Sequence, residues 1–194
     1  FNSLLIALLA SVISAVVGTA AAVGISKFGK RARGVIMNVT YLPVLNPEIV
    51  TGISMMLLFV FFKNLFGFKM GFATVLIAHI TFCLPYVILN VLPKLRQMDQ
   101  SLFEAAMDLG CHPIAAFFKV VIPQIMPGIT AGFLMAFTIS LDDFVVTYFT
   151  SGSGFKMLPV TIYSMVKKKV NPQINALSTI IFLIVLALLA VMNL

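Results

Sequence analysis

The sequence predicts an all-α polytopic membrane protein, and two observations support this fold class. First, 61% of the 194 residues are hydrophobic and only 10% are charged, whereas about a quarter of the residues in a soluble domain are charged. The mean hydropathy of +1.11 agrees with this composition. Second, apolar blocks recur along the whole chain, and the short segments between them hold most of the Lys and Arg residues. We therefore expect a single membrane domain over residues 1–194.

Five segments are long and apolar enough to form spanning helices, which need about 20 residues to cross a hydrocarbon core of about 30 Å. The chain begins at Phe1 and ends within an apolar run, so we expect five to be a minimum. The predicted spans are residues 3–25, 40–62, 70–92, 124–149 and 175–194.

Small residues recur at four-residue spacing in the first and fourth spans. They are Ser14, Gly18 and Ala22 in the first span, and Gly128 and Gly132 in the fourth. Such residues let helix backbones approach one another closely. A dedicated dimer face is one interpretation, but packing inside the helix bundle is the one we favour.

Two prolines, Pro43 and Pro47, lie where the second span is expected to start. Because proline removes a backbone donor and breaks a helix interior, we expect this helix to begin late or to kink. Glu48 follows directly. Its carboxylate is either a first-turn residue stabilised by the positive end of the helix or a second acid on a substrate path.

The polar segment between the third and fourth spans contains DQSLFEAAMDLG, which predicts a short helix. Asp99 or Ser101 can cap its start. Glu104 and Asp108 lie at positions i and i+4, on one face. Gly110 can end the helix. A bare loop would not need this pattern.

The same segment carries a spaced motif. Glu104, Ala105 and Ala106 are followed after three residues by Gly110, and after nine more by VVIP. Pro113 can begin another short helix that leads into the fourth span. This spacing resembles the EAA loop of the type I ABC-importer permeases, although Val and Ile replace the usual Ile and Leu before the final proline.

The resemblance implies a six-span permease domain in the bacterial cytoplasmic (inner) membrane, with the missing span before Phe1. It implies that residues 93–123 form a cytoplasmic loop whose helix couples to an ATPase. The coupling residues would be Glu104, Ala105, Ala106, Asp108 and Gly110.

The family also implies the partners: a second homologous permease subunit, two ATP-binding subunits, an extracytoplasmic polyamine-binding protein and the lipid bilayer. On this interpretation the chain is not an enzyme and binds no cofactor, because ATP and Mg are used by the separate ATPase subunits. We expect no nucleic acid partner despite the net charge of +7, because the basic residues cluster between spans, where they set topology or meet anionic headgroups.

Charge counting alone does not orient the chain, since seven basic residues fall on one side of the predicted spans and six on the other. The resemblance to the EAA loop places residues 93–123 in the cytoplasm. The run VKKK, which includes Lys167, Lys168 and Lys169, then lies outside, and topology does not explain it.

Two adjacent acids, Asp142 and Asp143, interrupt the fourth predicted span. A carboxylate at the bilayer centre costs about 2.5 to 3.5 kcal/mol, so intramembrane acids usually face a cavity or a partner. Neighbouring helical residues are about 100° apart, so both could border one pore, toward its outer end. Alternatively, the pair caps a kink or binds a Lys of another span. Tyr148 could offer a cation–π face on the same path, or could be an interfacial tyrosine.

The C-terminal third supplies the substrate prediction. It contains SLDD, then LP and IYSMV, then NPQINALSTI. These segments resemble the spermidine/putrescine permeases of the family, which implies a polyamine substrate. Its ammonium groups would supply the countercharge to Asp142 and Asp143. The alternatives are another cation or a small organic solute carried by the same family, or an ATP-independent transporter or channel.

Catalytic or metal chemistry finds no support in the sequence. His79 and His112 have no second ligand at suitable spacing, so we expect packing or hydrogen-bonding roles and no metal site. Cys83 and Cys111 support neither a disulfide framework nor a metal site. A Walker lysine motif, GxSxG and HExxH are all absent from the sequence, so an intramembrane enzyme would lack its catalytic residues.

Overall fold

A computed structural model describes residues 1–67, 69–99, 101–152, 154–168, 176, 178–180 and 182–183. The described residues form helices separated by short turns. In chain order these are α1 (Asn2–Lys27), α2 (Lys30–Leu45), α3 (Glu48–Phe66), α4 (Phe72–Gln97), α5 (Ser101–Asp108), α6 (Pro113–Ala116), a π-helical turn (Phe117–Val121), α7 (Ile122–Asp142), α8 (Val145–Thr150) and α9 (Leu158–Lys168).

Four stretches within the described residues are long and apolar enough to cross a membrane. They are α1, α3, α4 and the continuous helical run Pro113–Asp142, which joins α6, the π-helical turn and α7. The first and third predicted spans are confirmed as helices α1 and α4. The fifth, 175–194, lies mostly outside the described residues.

The central bundle consists of α1, α4 and α7, which pack against one another. Small residues permit the close approach. A Cβ added at Gly18 of α1 would lie 2.7 Å from Val87 Cγ1 of α4, and one added at Gly132 of α7 would lie 3.1 Å from Val87 Cα. The Ser14 hydroxyl donates to the Ile80 carbonyl oxygen of α4. Gly18 and Gly132 thus pack inside the bundle, which is the interpretation that their spacing favoured.

A second packing unit joins α3 to α8. Phe59 of α3, Ala78 of α4 and Val146 of α8 are buried together. Gly52 of α3 lies against α8, since a Cβ there would come within 2.9 Å of the Phe149 ring. The rest of α3 leaves most of its apolar side chains exposed, which is expected of a helix that meets lipid or another subunit.

The predicted bounds of two spans are wrong. The second predicted span, 40–62, begins inside α2, which contains Pro43, and the helix breaks at Asn46 and Pro47 before α3 begins at Glu48. The break itself confirms the expected effect of the prolines. The fourth predicted span, 124–149, is not one helix, because α7 ends at Asp142 and α8 starts three residues later.

Residues 156–194 form a separate compact unit from residues 1–155. Within its described part, α9 covers Leu158–Lys168. The Thr161 hydroxyl donates to the Met157 carbonyl oxygen within the first turn. Lys167 is exposed. Lys169, the last residue of the VKKK run, lies outside the described residues.

Candidate functional site

The adjacent acids Asp142 and Asp143 lie on different faces of α7. Ile125, Gly128, Gly132, Ala136 and Ser140 are its buried residues, and Asp143 continues their stripe. Asp142 is exposed, and it continues the opposite stripe beyond Met135 and Thr138. A step of about 100° per residue explains why neighbours fall on different faces. Of the two acids, only Asp142 is open to its surroundings in this structure.

Asp143 ends one helix and begins the next. Its Oδ1 accepts a hydrogen bond from the Val146 N–H at 3.2 Å, and its Oδ2 accepts one from the Thr147 N–H at 2.8 Å. These are N–H groups that the first turn of a helix leaves without intrahelical partners. The alternative interpretation, in which the acids cap a kink, thus describes Asp143 and not Asp142.

His79 of α4 joins both sides of this break. Its Nδ1 lies 2.7 Å from the Ser140 hydroxyl of α7, and its Nε2 lies 2.9 Å from the Thr147 hydroxyl of α8. Nε2 is also 3.5 Å from Asp143 Oδ2. A carboxylate only accepts hydrogen bonds, so a ring proton on Nε2 suits this arrangement, with Nδ1 accepting from Ser140. The expected hydrogen-bonding role of His79 is confirmed.

Two further contacts join α4 to α8 and α7 near the break. The Thr74 hydroxyl donates to the Thr150 carbonyl oxygen at 2.8 Å, and the Cys83 thiol lies 3.5 Å from the Ala136 carbonyl oxygen. His79 is the eighth residue of α4, so the network sits roughly 10 Å from the start of that helix and about 27 Å from its end. The acids therefore lie toward the end of the bundle remote from α5.

The other predicted path residues stay separate from this network. Glu48 is the first residue of α3, where its carboxylate is exposed and meets the helix N-terminus, as the first-turn interpretation requires. Glu48 also interacts electrostatically with Tyr86 of α4. Tyr148 of α8 is 53% exposed, and its ring lies 5.5 Å from that of Phe144. An aromatic surface thus flanks the break.

The predicted coupling segment folds as a short helix, α5, which begins and ends as the sequence indicates. Asp99 Oδ1 accepts a hydrogen bond from the Ser101 N–H at 3.0 Å. Hydrogen bonds from the side chain and then the backbone of Ser101 lower the pKa of the Asp99 carboxyl. At the other end, Gly110 adopts a φ of 84°, and its N–H donates to the Met107 carbonyl oxygen. A left-handed glycine is a common end of a helix.

The surface of α5 is open. None of its residues is buried, and Leu102, Met107 and the adjacent Leu109 are exposed, the last at 89%. Glu104, Ala105 and Asp108 are exposed as well. Exposed apolar side chains beside exposed acids, on a helix that packs little against its own chain, mark a surface suited to another protein.

The second short helix also begins as predicted. His112 caps α6, since its Nδ1 accepts from the Ile114 N–H at 3.4 Å, and Pro113 occupies the first helical position. The helix then runs through the π-helical turn into α7 without a gap. Residues 93–97, which were assigned to the coupling loop, belong to the last turns of α4.

Sequence reasoning missed the contact between His79 and Asp143. The 63 intervening residues carry no pattern that pairs them, so the contact is a property of the tertiary fold. A local indication of the break did exist. Asp143 stands three residues before Val146 in a run of β-branched residues, Val145 to Thr147, and an acid placed ahead of a new helical turn is a capping pattern.

Comparison with known proteins gives the class of this molecule. Residues 7–194 match the model of the family described as binding-protein-dependent transport system inner membrane component. The chain belongs to this family. Its spanning helices and its exposed α5 are therefore those of an inner-membrane transport component.

Particular relatives refine the comparison. The chain is 44% identical over 183 residues to the putrescine transport system permease protein PotI of Escherichia coli (strain K12), covering 92% of this chain and 65% of PotI. It is 36% identical over 193 residues to the spermidine/putrescine transport system permease protein PotC of Haemophilus influenzae, covering 100% of this chain and 74% of PotC. The chain thus spans slightly less than two thirds of the length of PotI.

Proposed function

We propose that this chain is a permease subunit of an ATP-driven importer that moves polyamines, putrescine or spermidine, across the inner membrane. The relatives PotI and PotC are named as permeases for these solutes. The observation that carries the proposal is the exposed carboxylate of Asp142 at the end of a spanning helix. Charged side chains within spanning segments usually face a cavity, a water-filled path or a partner and not lipid, so we take this face of α7 to border a polar path.

A polyamine fits such a path because it combines cationic groups with methylene segments. Asp142 would meet an ammonium group. The exposed Met135 on the same stripe and the half-exposed Tyr148 would meet the methylenes, and Tyr148 also offers a cation–π face. Asp143 has a different role in this proposal. It positions the break and leaves substrate contact to its neighbour.

The proposal includes the partners expected from the sequence. A second homologous permease subunit would complete the path on the exposed face of α7. Two ATP-binding subunits, using ATP and Mg, would dock on α5, and an extracytoplasmic polyamine-binding protein would deliver the solute. The chain itself would bind no cofactor and catalyse no reaction. ATP binding would favour one of two arrangements of the helices, and the path would open alternately to each side.

Uptake of labelled putrescine by cells that carry the full-length gene tests the role of Asp142. We expect Asp142→Asn to lower the initial uptake rate at least tenfold at an unchanged level of membrane protein, because the countercharge is lost. Asp142→Glu is the matched control and should keep most of the uptake. Normal uptake by the Asn variant would exclude Asp142 from the substrate path.

The ATP requirement is tested separately. Changing the Walker lysine of the cognate ATPase should abolish uptake. If uptake continued, an ATP-independent transporter would be the better interpretation. If uptake of another solute were abolished while putrescine was never carried, the family assignment would stand and the substrate would change.

A further inference from the structure

A cavity of about 460 Å³ lies where α1 and α4 end, beside α2 and α5. Three cationic side chains line it, each from a different helix: Lys27 of α1, Arg33 of α2 and Arg96 of α4. Glu104 is the one acid among its lining residues, so the mouth carries a formal excess of two positive charges. In the part of the chain that the structure describes, no Lys or Arg forms an ion pair with Glu104.

Arg33 holds one cationic group in a fixed place at the cavity. Its Nη2 donates to the Ser26 and Phe28 carbonyl oxygens at the end of α1, which fixes the guanidinium. Its Nε is buried and has no hydrogen-bond partner among the described residues. Lys27 and Arg96 are exposed, so they are free to turn toward a ligand.

An apolar groove of about 490 Å³ continues from this cavity, and the two share Val23 and Phe117. The groove runs between α1 and α7 and is lined by Ala15, Val16 and Ala20 on one side and Ile129 on the other. From Val23 to Ala15 is eight residues, so the groove reaches about 12 Å along the helix into the membrane. A cationic mouth at the membrane surface thus opens into an apolar channel.

We propose that the cavity and the groove together bind one anionic phospholipid, with its headgroup phosphate among Lys27, Arg33 and Arg96 and an acyl chain in the groove. A soluble anion would use the mouth and leave the groove empty. An apolar protein helix would use the groove and leave the cations unmatched. Only an amphipathic anion matches both parts, and the membrane surface supplies phospholipids at the level where α1 and α4 end.

Native mass spectrometry of the delipidated full-length complex tests the site, with phosphatidylglycerol and phosphatidylcholine added in turn. We expect one phosphatidylglycerol molecule per chain to be retained in preference to phosphatidylcholine. Each Lys or Arg near an anionic headgroup contributes roughly fivefold in affinity, so Lys27→Gln with Arg96→Gln should weaken retention by about 25-fold. Lys30→Gln with Arg31→Gln is the matched control on α2, outside the cavity, and should retain the lipid.

A second pair of variants tests the groove. Ala20→Phe should fill it and displace the acyl chain, whereas Val12→Phe on the same helix, outside the groove, should not. Equal retention of the two lipids by the wild-type complex would overturn the proposal. So would displacement of the lipid by inorganic phosphate alone, or loss of the partner permease with unchanged lipid binding in Ala20→Phe, which would make the groove a subunit interface.

Discussion

Each ring nitrogen of His79 faces a hydroxyl on one side of the α7–α8 break, Ser140 on α7 and Thr147 on α8. All three side chains are buried. A buried polar group that loses its partner keeps its desolvation cost, about 1 to 3 kcal/mol. His79 therefore positions the break, and through it the end of α7 that carries Asp142.

Replacing His79 by Leu should lower the free energy of unfolding by about 1 to 3 kcal/mol, because Ser140 and Thr147 lose their buried hydrogen bonds to the ring. Thermal unfolding of the detergent-solubilised protein measures the change. Thr81→Ala is the control on the same helix, since its hydroxyl bonds only to the Ile77 carbonyl oxygen, and it should change stability by less than about 0.5 kcal/mol. Equal stability of the His79→Leu variant would show that the network contributes nothing.

At the residue scale, the sequence predicted the local roles of side chains better than it predicted where those side chains lie in the fold. The acids in the apolar run, the cap at Asp99 and the glycine at position 110 depend on neighbours within a few residues, and such local patterns are legible. Which of Asp142 and Asp143 is exposed and which is buried depends on which face of α7 packs against α4. Nothing local determines that face with certainty, because both stripes are largely apolar.

In the central bundle, Val87 of α4 packs between Gly18 of α1 and Gly132 of α7. The two contacts differ. A Cβ at Gly18 would meet only side-chain atoms, of Val87 and Leu84, whereas one at Gly132 would come within 3.1 Å of the Val87 backbone. The first contact can be relieved by trimming a side chain, and the second only by moving a helix.

Gly18→Ala and Gly132→Ala should each destabilise the protein by about 1 to 3 kcal/mol through overpacking. Measured against a Val87→Gly variant, which lacks both Cγ1 and Cβ, the added Gly18→Ala should cost much less than it does in the wild type, and the added Gly132→Ala nearly as much. Gly24→Ala is the control, because no atom lies within 4 Å of its added Cβ. Unfolding midpoints of the single and double variants give the coupling energies. Recovery of both glycine variants to the same extent would contradict the distinction.

The element scale shows where hydropathy succeeds and where it fails. Long apolar segments predicted α1 and α4 to within a few residues at their first ends, because length and composition suffice for that. Hydropathy missed the helix breaks before Glu48 and after Asp142, because it is averaged over a window of residues. Pro47 gave a usable warning of the first break, and Asp143, placed ahead of a new helical turn, gave a weaker one of the second.

For the molecule as a whole, the proposed function makes α5 the surface on which the ATP-binding subunits would act. Gly110→Ala should distort its end, because a φ of 84° costs an L residue roughly 1 to 2 kcal/mol. We expect less ATPase to co-purify with this variant and slower putrescine uptake. Gly34→Ala on α2, where the added Cβ meets nothing, should leave both unchanged. An undisturbed ATPase complex in Gly110→Ala and in Glu104→Ala would count against coupling through α5.

The break after Asp142 also shapes the local potential. The last carbonyl groups of α7 have few intrahelical donors, and together they carry about half a negative charge. The matching positive end of α8 is already neutralised by the carboxylate of Asp143. Asp142 adds its charge to the negative end of the α7 dipole, so this end of the helix is more negative than a single carboxylate. A cation at Asp142 would feel the field of the α7 main chain as well, and no substitution of a side chain removes that contribution.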